Sequence, residues 1–107
     1  MRGLIDLRDA GWAFFPTLVD GQVVQVRGVR PWPQGWADAI AVRYTTDAYA
    51  LRCDSVGGVV WRREGTLRDV VDGLLELPSP LERGAPRLVK VTMSGLSAPF
   101  TYMSHFR

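Results

Sequence analysis

The sequence predicts a single α+β domain, built as an antiparallel sheet of five or six strands in β-hairpin meander order. One main amphipathic helix, at about residues 67–77, packs on one face. Three observations carry this expectation. Residues 13–29 alternate around an Asp20-Gly21 turn signal, and residues 37–54 alternate around a second short turn. Residues 66–78 hold a helix start, an apolar stripe at helical spacing and a proline stop.

The first segment, MRGLIDLRDAG, allows a short helical turn at residues 4–10. Asp6, Arg8 and Asp9 interrupt its apolar run, so it has no signal-peptide core. FFPTLVDGQVVQVRGV follows as a hairpin, because Asp-Gly supplies the two positive-φ positions of a type I′ turn. That turn sets Phe15 opposite Val26, Thr17 opposite Val24 and Ala13 opposite Gly28, giving one face that enters the core. Pro16 cannot donate to a ladder, which places its strand at the sheet edge or at a bulge.

ADAIAVRYTTDAYALRCD reads as a second hairpin. With Thr46-Asp47 as its loop, Tyr44 pairs with Tyr49, Val42 with Leu51 and Ile40 with Cys53, and all six share an apolar face. Ala39, Ala41, Arg43, Ala48, Ala50 and Arg52 then form the opposite face, small enough for a helix or a partner to approach closely. A slip of one residue puts Arg52 among the apolar set.

GVVWRRE after Gly57-Gly58 is a further strand, with Val60 and Arg62 on one face and Val59, Trp61 and Arg63 on the other. Thr66 then caps a helix with Asp69 at its third position, and Leu67, Val70, Val71, Leu74 and Leu75 form its stripe up to Pro78. About eleven residues of isolated helix are marginal in water, so packing must hold it. SPLERGAP is a loop and RLVKVTM a last strand. Residues 1–93 thus form the domain. Residues 94–107 form a tail rich in Phe100, Tyr102, Met103 and Phe106, expected to dock on the same or a partner subunit.

Composition narrows the chemistry. The 107 residues suffice for one core, and 13 basic against 11 acidic residues, interspersed, lack the concentrated excess of a typical nucleic-acid binder. Arginine outnumbers lysine, Lys90 being the sole lysine, as expected of a high-GC bacterial coding genome. A single cysteine excludes an intramolecular disulfide, and no apolar run reaches membrane-span length, so a cytoplasmic protein without membrane contact is expected. One His and one Cys supply no structural zinc site, and no nucleophile, phosphate-loop or dinucleotide motif occurs. Cys53 beside His105 is the only thiol pairing available, and Cys53 reads as a small buried hydrophobe instead. No enzyme, no cofactor and no metal is expected.

Two surfaces invite a partner. GVRPWPQGW places Trp32 and Trp36 in a proline-stiffened loop beside Arg30, where the tryptophans either fold back as a lid or present a recognition surface. Arg43, Arg52, Arg62 and Arg63 form the second set, with Arg62 and Arg63 arriving just before a helix N-terminus that could receive an anion. The leading expectation is a non-enzymatic accessory module that binds a protein partner or itself as a homodimer. The alternative is a binder of anionic ligand or nucleic acid through the arginines.

Overall fold

A six-stranded antiparallel sheet in meander order carries two helices on one face in the computed structural model, which describes residues 3–89 and 91–92. Helix α1 (Leu4–Asp9) begins where Gly3 N–H donates to Asp6 Oδ2 at 2.6 Å. The chain leaves it through Gly11, at φ +100°. Leu7 and Trp12 are the residues that α1 and its exit bury in the core.

Strands β1 (Ala13–Val19) and β2 (Gln22–Pro31) meet through Asp20 and Gly21, both in the left-handed region as an Asp-Gly hairpin turn requires. Beside the turn the expected register holds, with Val19 opposite Gln22 and Leu18 opposite Val23. A bulge between Thr17 and Leu18 then shifts every later pair, so Phe15 faces Arg27 and Ala13 faces Val29. The expected entry of Ala13, Phe15 and Thr17 into the core is corrected by this bulge, since one added residue exchanges the two faces. Phe15 is 40% exposed, while Phe14 packs on the core. Phe14 reaches Ile40 across Gly28, where a Cβ would stand 2.6 Å from Phe14 Cε1 and 2.9 Å from Ile40 Cγ2. Pro16 lies in the edge strand, where its missing N–H costs least.

Strands β3 (Ala37–Tyr44) and β4 (Asp47–Cys53) turn at Thr45-Thr46, with Tyr44 opposite Asp47 and a bulge between Val42 and Tyr44. The expected Thr46-Asp47 loop is therefore corrected: Val42 faces Ala48, Ile40 faces Ala50 and Ala39 faces Leu51. Because the offset is odd, the strands do not divide into one apolar and one small face. Ile40, Val42, Ala48 and Ala50 turn toward the helices, and Ala39, Ala41, Leu51 and Cys53 turn away from them. Thr45 C=O accepts the Leu67 N–H at 2.8 Å, tying this turn to the start of the main helix. That bond satisfies a donor which the helix itself cannot.

Strand β5 (Gly58–Gly65) is entered through a turn built on Asp54, whose Oδ1 accepts from Val56 N–H at 3.1 Å and Gly58 N–H at 2.8 Å. Arg52 pairs with Trp61 but Cys53 with Val59, which leaves Val60 as an extra residue. Val59 and Trp61 consequently pack on opposite faces, a correction to their expected shared face. Helix α2 (Leu67–Glu76) starts as its sequence indicates: Thr66 Oγ1 accepts from Asp69 N–H at 3.1 Å, and Asp69 Oδ2 accepts from Thr66 N–H at 3.4 Å. It buries Val70, Val71 and Leu74 as it packs on β4 and β5 and ends ahead of Pro78. Strand β6 (Val91–Thr92) pairs with Gly58 and Val59, a shorter last strand than expected. The tail at 94–107, with its expected docking, lies outside the described residues.

Candidate functional site

The β3–β4 register that overturns the expected faces also creates the most polar feature of the interior. Arg30 on β2 lies opposite Asp38 on β3, Asp38 opposite Arg52 on β4, and Arg52 opposite Trp61 on β5. Four strands thus contribute one row of side chains. Asp38 and Arg52 are buried, at 2% and 0% exposure, and they pair in fork geometry. Arg52 Nε donates to Asp38 Oδ1 at 2.6 Å and Nη2 donates to Oδ2 at 2.9 Å. Arg52 Nη1 also donates to the Pro78 carbonyl, just beyond α2. A buried ion pair survives only when its remaining donors and lone pairs find partners, and the Pro78 carbonyl and Trp32 serve that need here.

Trp32 comes from the connection between β2 and β3. Its backbone N–H donates to Trp36 C=O at 2.8 Å, and Pro33–Gly35 forms a single 3-10 turn between them. Gln34 at φ 65° and Gly35 at φ +83° both adopt left-handed backbone, a strain that the surrounding contacts must offset for the non-glycine residue. This turn brings the Trp32 indole N–H to Asp38 Oδ2 at 2.9 Å. Trp32 is therefore a half-buried lid on the ion pair, and also the platform for a second guanidinium. Arg30 Cζ stands 3.9 Å from the Trp32 ring centroid, and Arg52 Cζ stands 5.6 Å from it. Among the described residues Arg30 takes no carboxylate or carbonyl partner, so Asp38 is the one carboxylate bonded to a cluster of two guanidiniums.

The other sequence candidates do not join this cluster. Arg43 is exposed beside the β3–β4 turn, 3.9 Å from Asp47. Arg62 and Arg63 are adjacent on β5 and so face opposite sides of the sheet. Arg63 lies along α2, where its Nη1 donates to Asp69 C=O at 3.3 Å and a Cβ on Gly73 would stand 2.7 Å away. At the helix start, which the sequence allows to receive an anion, the N–H groups of Thr66, Leu67 and Asp69 already donate within the chain. Trp36 takes part through its backbone carbonyl. Asp38 was not singled out from the sequence, although an aspartate and an arginine in two otherwise apolar strands are a recognisable mark of a buried pair.

Cys53 is buried on the far side of the sheet, and burial, reinforced by the nearby Asp54 and Asp38 carboxylates, pushes its thiol up to about 12. A thiol held neutral is a poor nucleophile. His105 lies outside the described residues. The raised thiol has a consequence for stability. An unfolded chain ionises Cys53 near its ordinary value of 9.0 and the fold holds it neutral to about 12, so stability is retained below the lower value and lost as pH rises between them. Urea unfolding at about pH 8 and about pH 11 should show a steeper alkaline loss for the natural chain than for Cys53→Ala. Equal slopes would mean that the thiol is solvated.

Among the described residues no group of three or more His, Cys, Asp or Glu could hold a metal ion, and no helix is long and apolar enough to cross a membrane. In comparisons with known proteins, no family model matches the chain, and no curated protein or solved structure matches it.

Proposed function

We propose that this protein is a non-enzymatic interaction module that binds a protein partner through Arg30, presented on the Trp32 ring. The observation that carries this reading is a guanidinium with open donors on an aromatic platform that is itself pinned to a buried ion pair. Such a guanidinium is held in place before any partner arrives, so a carboxylate can be met with little ordering cost. Arginine and tryptophan together are also the residues most enriched at binding hot spots. The nucleic-acid reading draws less support, because its arginines are spread over the interior, both sheet faces and internal ion pairs.

A second copy of the chain is the alternative partner, and a separate observation favours it. Leu18, Val19, Val23 and Val24 are each exposed at the end of the β1–β2 hairpin, at the edge of the sheet. Light scattering on the full chain distinguishes self-association from binding another protein.

Affinity capture from the native host, with the natural chain and an Arg30→Glu variant as baits, tests the main reading. Arg30 is partly open and outside the apolar core, so the variant is expected to fold. Capture of the partner should fall roughly tenfold or more, as charge reversal at a hot spot demands. Equal capture by both baits would remove Arg30 from the interface, and capture abolished by nuclease would favour nucleic acid.

A further inference from the structure

The sheet face opposite the helices presents a second apolar cluster of Ala39, Ala41, Leu51, Cys53 and Val59. Leu51 and Val59 are 0% exposed and Ala39 is 1% exposed. Both helices contribute to the cluster on the other face, and among the described residues the half-buried apolar side chain packed against this one is Tyr49, itself from β4. A leucine on an open sheet face keeps much of its side chain in water, so full burial requires something lying over it. Neither described helix contributes a side chain to this cluster.

The chain itself holds a suitable occupant. Residues 93–107 follow Thr92, which pairs with Gly58 directly beside Val59, so the remaining chain departs from the border of this very cluster. From Thr92 on β6 to β3 is three strand spacings, about 14 Å, whereas fifteen residues reach up to roughly 50 Å when extended. The segment carries Phe100, Tyr102, Met103 and Phe106 and no acidic residue. The alanines of β3 leave room for large rings to approach the backbone, which bulkier residues there would prevent.

We propose that residues 93–107 of the same chain dock on this second face, so that the sheet is covered by the helices on one side and by the C-terminal segment on the other. The face is then internal, and the surfaces left to partners are the Arg30–Trp32 loop and the β1–β2 hairpin end. This proposal stands or falls independently of the binding role assigned to Arg30.

Cys53, the only cysteine, lies in the cluster and reports on its cover. Labelling by an aromatic disulfide reagent should be slow in the full natural chain and unchanged on dilution. In a full-length Phe100→Ser/Phe106→Ser variant it should be roughly tenfold faster or more, while the α2 melting transition persists. Labelling of the natural chain that accelerates on dilution would assign the cover to a second copy, and a folded variant labelled as slowly as the natural chain would remove the segment from this face; either overturns the proposal. If the variant does not fold, a photo-cross-linking residue in place of Phe106 in the full chain decides. Adducts within one chain to β3 and β4 support the proposal, and adducts between chains, or only to α2, overturn it.

Discussion

Arg52→Met should destabilise the protein by about 3–5 kcal/mol, because it leaves the buried Asp38 carboxylate without its guanidinium. The melting temperature should fall by roughly 15 °C or more on the usual scaling for a domain of this size. The pair as a whole contributes far less than that, since two charges must be dehydrated to form it. The double variant Asp38→Leu/Arg52→Met should therefore recover a large part of the loss, giving a coupling of about 2 kcal/mol or more between the two sites. Denaturant unfolding of the three variants and the natural chain supplies the cycle. Additive effects would mean that the two side chains do not meet.

Val71→Asp is the second change with a large expected effect. Val71 is 0% exposed on the inner face of α2, in the apolar cluster that includes Ile40, Ala48 and Ala50. Burying an unpaired charge there costs several kcal/mol, a large share of a total of ~5–15 kcal/mol. Cooperative unfolding should be lost. A soluble variant with an unchanged melting curve would require α2 to face water, against its placement here.

These two positions mark what the sequence makes legible. The helix with Thr66, Asp69 and the stripe through Val71 is local information, written within a dozen residues, and the structure bears it out in full. The meander order and the Asp20-Gly21 turn are local in the same sense. Register is different, because it depends on where bulges fall. The bulge at Thr17/Leu18 exchanges Phe15 for Phe14 in the core, and the bulge and turn near Tyr44 shift β4 so that Arg52 points inward.

Parity reasoning counted Arg52 inside the apolar set as a penalty, and it is one unless a carboxylate stands opposite. Asp38 stands there, three strand positions from the expected pairing. The candidate site was therefore half legible: Arg30, Trp32 and Trp36 are close in sequence, and their loop composition singles them out. The Pro78 carbonyl that completes the Arg52 donors comes from a loop twenty-six residues away, and no composition signal marks it.

The central claim is that the Trp32 loop is pinned to the buried Asp38–Arg52 pair and thereby holds the stacked Arg30 guanidinium in place. Hydrogen exchange of the tryptophan indole N–H groups, followed by NMR in the full-length chain, tests it most directly. Trp32 Nε1–H, the donor to buried Asp38, should exchange slowly in the natural chain and lose its protection in Asp38→Leu/Arg52→Met. Rapid exchange of Trp32 in the folded natural chain would contradict the claim, because a free indole cannot hold the platform on which Arg30 is stacked.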